Sequence, residues 1–352
     1  MTIKDLAKLS GYSLGTVSRV LNNQPNVSEQ ARKTILALVE EHGFERNASA
    51  QLLKQQRTKS VLIIVKGTSN EMFAAMVEKL QSLFADTDHP VIADFIDEDE
   101  NEVKRAVQLC RERKPSGVLF LGGNNENFRA DFDKVLVPSV VVTNDAHELR
   151  FPNLSSVSTD DCAGASCAVE YLLRSGHRNI AVLGGDRAIS DTSAKRYAGC
   201  VEAFRKNGLT FDDETMYYTG RYSYEFGYNG MRQALEKTKG LTAAFAMADV
   251  IAIGAIRALF DEGLRVPEDI SVVGYDGLRI GDFYVPKLTT ISQSVELLAK
   301  CSFELLISCM QGAPAQHLTV PFRLLRRQSV RQITYTGKEV KIRLKNNQWM
   351  EG

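Results

Sequence analysis

The chain has too few cysteines, and those too scattered, for a disulfide or zinc framework. Six (Cys110, Cys162, Cys167, Cys200, Cys301 and Cys309) lie in 352 residues without a CxxC pair, so they are expected as reduced, partly buried thiols. The five histidines (His42, His89, His147, His177 and His317) show no HExxH or paired spacing; no metal or cofactor site is expected. Long apolar runs are missing as well: the stretches at 61–65 and 139–142 fall far short of the ~20 residues of a membrane helix. The N-terminal segment lacks a charged-then-apolar signal pattern, and a cytoplasmic protein is expected. Net charge is also absent. The 43 Lys and Arg balance 43 Asp and Glu, so the chain as a whole has no electrostatic preference for nucleic acid, anionic lipid or acidic substrate.

What is present is average in bulk and uneven in detail. Hydrophobic residues make up 44% and charged residues 24%, which excludes wholesale disorder and fibrous structure. At roughly 100 to 200 residues per domain, the length predicts two or three folded units. Residues 1–60 carry nine Lys and Arg against five Asp and Glu, a net +4, leaving −4 on the remainder. A basic head on a mildly acidic body points to an anionic partner for the head.

The head reads as three short helices. Thr2-Ile3-Lys4-Asp5 is a capping box and Gly11 a stop. Ser13 offers a second N-cap before the apolar spacing Val17, Val20, Leu21; Ser28 caps a third helix built on Ala31, Ile35, Leu38 and Val39. Two helices joined by a tight glycine-containing turn predict a helix-turn-helix bundle. Opposite the apolar stripe of the second helix stand Leu14, Gly15, Ser18, Arg19 and Asn22, residue types suited to base edges and phosphates in a major groove; the competing reading is an ordinary solvated face.

From residue 61 the texture changes. Short Val- and Ile-rich runs at 61–65, 91–96, 117–121, 140–143, 180–183, 243–247 and 270–273 predict strands. Helical patterns fall between most of them, at 72–84, 103–113, 163–174, 198–206, 228–235 and 251–260. This alternation predicts parallel sheets covered by helices on both faces, and the number of units predicts two sheets with a cleft between them. The linker at 45–60 has good helix formers but too little apolar periodicity for a core, and could fold on contact with a partner.

The runs Thr2-Ile3-Lys4-Asp5-Leu6-Ala7, Gly11-Tyr12-Ser13, Thr16-Val17-Ser18-Arg19-Val20-Leu21-Asn22, Val27-Ser28 and Gly43-Phe44 resemble the lactose/galactose repressor family of bacterial transcription regulators. The resemblance continues through Ser175-Gly176-His177-Arg178-Asn179-Ile180, Arg196-Tyr197-Ala198-Gly199, Val266-Pro267-Glu268-Asp269-Ile270 through Asp276, and Leu288-Thr289-Thr290-Ile291. It implies an α/β architecture with an all-α helix-turn-helix domain at 1–45 and a hinge helix at 46–60. A periplasmic-binding-protein-like body of two doubly wound parallel-sheet subdomains follows at 61–330, with crossovers near 160, 290 and 321, and an extension at 331–352.

In function, the resemblance implies a homodimer that binds a near-palindromic double-stranded operator and answers to a small effector. Leu14, Gly15 and Arg19 match the base-reading set; Thr2, Ser13, Thr16, Asn22 and Asn47 match the phosphate and backbone anchors. Leu53 matches the hinge leucine that wedges between base pairs, with Ala50 and Lys54 beside it. Arg46 stands where the family usually has proline. In the cleft, Arg196 and Asp276 match the characteristic polar ligands and Tyr222 the aromatic wall, while Phe73, Asp160, Thr192, Asp249 and Gln293 fall near other cleft positions. Without a ligand, Arg196 and Asp276 would read as an interior ion pair. Ala248 replaces a polar residue of several sugar-responsive members, which argues against a simple galactoside. A sugar or sugar derivative is the implied effector, with a nucleobase or nucleoside second.

Other readings are weaker. Gly11-Tyr12-Ser13-Leu14-Gly15 fits G-x-S-x-G but lies in the helix-turn-helix rather than after a strand, and Gly122-Gly123 and Gly184-Gly185 complete no phosphate loop, reading instead as turns at a cleft mouth. An enzyme is therefore not expected; a sugar receptor without operator function is the alternative from another class. The tail alternates like a hairpin around Thr336-Gly337, carries +3, and has no leucine heptads, so a dimer rather than a tetramer is expected.

Overall fold

The computed structural model describes residues 3–21, 27–42, 59–67, 70–333, 342–343 and 349–350, and the chain divides into two compact units, 1–57 and 58–352. The first unit holds α1 (Ile3–Ser10), α2 (Leu14–Leu21) and α3 (Glu29–Glu41). Gly11, at φ +70, ends α1 in the left-handed conformation that favours glycine. Ser13 Oγ then accepts the Thr16 amide at 3.2 Å and Ser28 Oγ the Ala31 amide at 3.3 Å, so each hydroxyl satisfies an otherwise orphaned donor. Leu6, Val17, Val20, Ala31 and Ile35 are buried together as the core of this unit.

In chain order the second unit begins β1 (Val61–Lys66), α4 (Glu71–Phe84), β2 (Val91–Ile96), α5 (Glu102–Arg113), β3 (Gly117–Leu121), α6 (Asn125–Asp131), β4 (Ser139–Thr143) and β5 (Leu154–Thr159). It continues α7 (Asp161–Arg174), β6 (Ile180–Gly184), α8 (Asp191–Lys206), α9 (Asp213–Met216), β7 (Tyr217–Thr219), α10 (Tyr224–Lys237), β8 (Ala243–Ala246) and α11 (Asp249–Asp261). Then come β9 (Ser271–Asp276), β10 (Thr289–Gln293), α12 (Val295–Met310), β11 (His317–Val320) and β12 (Phe322–Leu325).

These strands form two six-stranded sheets, ordered β11-β5-β4-β3-β1-β2 and β12-β10-β9-β8-β6-β7. All pairings are parallel except β10 with β12. The order second-first-third-fourth-fifth thus occurs twice, and in sheets of this kind a ligand site forms beyond the carboxyl ends of the strands where the order reverses. Both faces are covered: in β1, Val61, Ile63 and Val65 pack into one layer and Leu62 and Ile64 into the other, all five buried. That is why the strand reads as a continuous apolar run rather than an alternating one. The chain crosses between the sheets after β5, after β10 and at Pro321.

Five strands of the body (β5, β7, β10, β11, β12) and the helices α6, α9 and α12 have no counterpart in the apolar pattern. β5 is Leu-Ser-Ser-Val-Ser-Thr, yet every residue is buried. Two of its hydroxyls are tolerated inside because they bond to backbone, Ser155 Oγ accepting the Gln316 amide and Ser156 Oγ the Ala146 amide, each at 3.1 Å. In the tail the described strands are β13 (Ile342–Arg343) and β14 (Trp349–Met350), paired antiparallel; the turn expected at Thr336-Gly337 lies outside the described residues. Among the described residues no helix is long and apolar enough to cross a membrane.

Candidate functional site

The carboxyl ends of both sheets face one cavity of about 340 Å³. The first half contributes Lys66, Asn70, Phe73, Gly122, Thr143 and Asn144; the second contributes Gly185, Ser190, Thr192, Arg196, Tyr222 and Asp276. Phe73 and Tyr222 each lie against a glycine. A Cβ on Gly122 would meet the Phe73 ring at 3.0 Å and one on Gly185 the Tyr222 ring at 2.7 Å, so these glycines, which read in the sequence as turns, give the two rings their seats.

Arg196 organises the deep end. Its Nε donates to Asp161 Oδ1 at 2.7 Å, its Nη1 donates to the Met247 carbonyl, and the guanidinium lies 3.7 Å from the centre of the Tyr275 ring. Asp276 Oδ1 is 3.8 Å from Arg196 Nη1 and accepts from Gln293 Nε2 at 2.9 Å. Burial opposes charge on the guanidinium, but the neighbouring Asp161 carboxylate holds its pKa above the ordinary arginine value. Burial pushes the Asp276 carboxyl up to about 6 despite Arg196. Two residues of this wall adopt backbone that L side chains avoid, Thr143 at φ +79 and Asp276 at φ +116, one closing β4 and the other β9. Strain of this kind costs on the order of 1–3 kcal/mol per residue and gathers at ligand sites.

Of the cleft candidates, Phe73, Thr192, Arg196, Tyr222 and Asp276 line the cavity. Three do not. Asp160 is exposed, and its Oδ1 caps α7 by accepting the Ala163 amide at 2.9 Å; the neighbouring Asp161 turns inward instead. Asp249 is fully buried behind the wall, accepting from Thr290 Oγ1 and the Leu278 amide, each at 2.6 Å. Burial and the nearby Asp276 hold its carboxyl well above the ordinary range. Gln293 is buried and reaches the cleft through two residues of its wall, donating to Asp276 Oδ1 at 2.9 Å and to Met72 Sδ at 3.5 Å. Sequence reasoning missed Asp161, Lys66, Asn144 and Arg221. Lys66 did leave a signal, a cation ending an apolar strand where such sheets bind ligands; Arg221, in a short turn after β7, left none.

In the first unit, Ser13 and Thr16 share a hydroxyl hydrogen bond of 2.9 Å at the start of α2. Gly15 and Arg19 are exposed while Val17 and Val20 are buried. Leu14 and Ser18 also lie on α2. Thr2, Asn22, Asn47, Ala50, Leu53 and Lys54 fall outside the described residues.

Residues 2–47 match the model for bacterial regulatory proteins of the lacI family, and residues 169–330 match a periplasmic binding protein-like domain. The HTH-type transcriptional regulator MalR of Clostridium butyricum is 33% identical over 335 residues, covering 94% of this chain and 99% of that protein. The chain belongs to the LacI family. The relatives of this LacI-family regulator also include the probable repressor ExuR of Bacillus subtilis, 30% identical over 95% of this chain and 99% of that one. Two solved structures resemble it along 94% of its length and 99% of theirs, each with TM-score 0.69 and 26% identity. They are a lac repressor dimer bound to operator and the anti-inducer ONPF, and the regulator CelR in complex with cellobiose. These relatives are regulators rather than enzymes, and the G-x-S-x-G run of this LacI-family chain begins in the turn after α1 and ends in the first turn of α2.

Proposed function

We propose that this regulator is a cytoplasmic repressor whose operator affinity is set by a sugar or sugar derivative held in the cleft. The observation that carries the reading is the buried corner of Arg196 and the strained Asp276, at the carboxyl ends of the strands, in a cavity that two aromatic rings also line. A guanidinium and a carboxylate side by side can donate to and accept from vicinal hydroxyls together, and the rings offer apolar faces to the C–H face of a pyranose. The likeness to a cellobiose complex supports the same class of ligand. A planar nucleobase between Phe73 and Tyr222 is the second reading, favoured by the arrival of one ring from each half of the cleft.

In the head, Leu14, Gly15 and Arg19 read base edges, Thr2, Ser13, Thr16, Asn22 and Asn47 hold phosphates and backbone, and Ser18 lies on the same DNA-facing side. The 46–60 segment folds as a hinge helix in the minor groove, where Leu53 wedges between base pairs with Ala50 and Lys54 beside it. Two copies join to match two half-sites. Phe260, Phe283 and Val285, 70%, 74% and 88% exposed, supply the apolar face for that pairing. Effector binding changes the angle between the halves of each body and so how the two hinges meet, a coupling worth ~1–3 kcal/mol.

The test measures affinity for DNA upstream of the protein's own and neighbouring genes, with salt varied and sugars and nucleosides added. Specific binding with a steep salt slope, changed by one compound, is the expected result. Arg196→Ala keeps DNA binding and loses the response; a normal response in that variant would refute the cleft assignment.

A further inference from the structure

The cations of the cleft are already matched by the chain's own carboxylates. Lys66 Nζ donates to Glu102 Oε2 at 2.6 Å and to the Glu100 carbonyl at 2.8 Å. Glu102 is itself fully buried, its other oxygen accepting the Asn124 amide at 2.7 Å. Arg196 is held by Asp161. Arg221, from the second half, reaches the segment after β2 in the first half. It lies 3.1 Å from Asp97 Oδ1 and 2.9 Å from Glu98 Oε1, and also bonds Asp99. Against these three cations the cavity wall sets four carboxylates, Glu98, Asp99, Asp186 and Asp276.

Several backbone amides, the other usual seat for an anion, are taken as well. Helix starts bind phosphate through unsatisfied N–H groups. At the cleft, Asn70 Oδ1 accepts the Phe73 amide at 3.1 Å and Ser190 Oγ accepts the Ser193 amide at 3.2 Å. Three glycine amides at the cavity wall are also taken, Gly67 by the Ile96 carbonyl at 2.9 Å, Gly122 by that of Val142 at 3.1 Å and Gly220 by that of Gly184 at 3.0 Å. A phosphate or carboxylate entering here would have to displace internal carboxylates and sit beside Asp276. A neutral hydroxyl needs only a single donor or acceptor.

We infer that the cleft selects against negative charge: its effector is an uncharged, hydroxyl-rich ring compound, and the phosphorylated and carboxylated forms of that compound are excluded. This rests on the reading of the cleft as the effector site.

The test is calorimetric titration of the full-length protein with glucose, galactose, maltose and cellobiose, alongside glucose 6-phosphate, glucuronate and galacturonate. Binding of a neutral sugar with its acidic counterparts at least 30-fold weaker is the expected result. Equal or tighter binding of a phosphate or uronate overturns the inference and leaves the sugar reading standing. Binding of no member of the panel removes the sugar reading instead. The charge argument is then decided by a second arm, the D97N/E98Q/D99N variant, which strips Arg221 of its carboxylates. Glucose 6-phosphate should bind this variant at least tenfold more tightly than it binds the parent, with the thermal melt showing a folded protein. An unchanged affinity in a folded variant overturns the inference.

Discussion

Arg196 is paired first with Asp161 and only second with Asp276: Nε lies 2.7 Å from the Asp161 carboxylate, whereas Nη1 is 3.8 Å from that of Asp276. The division matters because both Arg196 and Asp161 are 4% exposed at the side chain. Asp161 keeps the buried charge neutralised whether or not a ligand is present, and Asp276 is left to accept from one.

Asp161→Ala therefore damages the fold, whereas Asp276→Asn damages the response. Removing one partner of a buried pair costs about 3–5 kcal/mol, and urea unfolding of Asp161→Ala should show a loss of that order. Asp276→Asn should unfold near the parent midpoint while its operator complex no longer answers to effector.

The raised carboxyl of Asp276 makes both stability and effector binding depend on pH. Its ordinary value is 3.8 and its folded value about 6, so between these the native chain holds a proton that the unfolded chain has released. Its contribution to stability therefore falls as pH rises through that window and is level above it. An effector whose hydroxyls donate to the ionised carboxylate expels the proton, so affinity should rise from pH 5 to 7 and then level off. Calorimetry in buffers of different ionisation enthalpy should record proton release at pH 5.5, and Asp276→Asn should abolish it.

Gly185→Ala should weaken effector binding by about tenfold, equivalent to ~1.4 kcal/mol, with little change in melting temperature. The added Cβ would stand 2.5 Å from Ser193 Oγ and 2.7 Å from the Tyr222 ring, so the hydrogen-bonded pair of Ser193 and Tyr222 at the cavity wall must move. Effector titration together with a thermal melt checks both parts.

Leu53→Ala should lower operator affinity while leaving effector affinity of the DNA-free protein unchanged. Electrophoretic mobility shift and calorimetry separate the two, and an unaltered operator affinity would sink the hinge assignment. Phe283→Asp, on the apolar face, should shift the protein toward monomer in sedimentation and weaken operator binding with it.

Much of the fold is legible in the sequence wherever burial on both faces makes a continuous apolar run, as in Val61, Leu62, Ile63, Ile64 and Val65. It is illegible where hydroxyl side chains are buried, as in β5, because Ser155 and Ser156 find partners far along the chain, the Gln316 amide and the His317 ring. α12 escapes for a related reason. Its sequence is apolar around much of its circumference, since it packs against α4 and the first sheet, and no single stripe announces it.

The sequence by itself determined the helix starts at Ser13 and Ser28, the alternation of strand and helix, the family, and the candidates Arg196, Tyr222 and Asp276, because caps, apolar periods and linear motifs are local. Only the tertiary structure decided which of two adjacent aspartates pairs with the arginine of the cleft. Asp160 turns back to cap its own helix while Asp161 meets Arg196, 35 residues away. Only the tertiary structure, too, set Arg221 against Asp97, Glu98 and Asp99, and Lys66 against Glu102. The charge a cleft offers to a ligand depends on which carboxylates lie within a few ångströms of each cation, a distance that the closing of two sheets on one another defines.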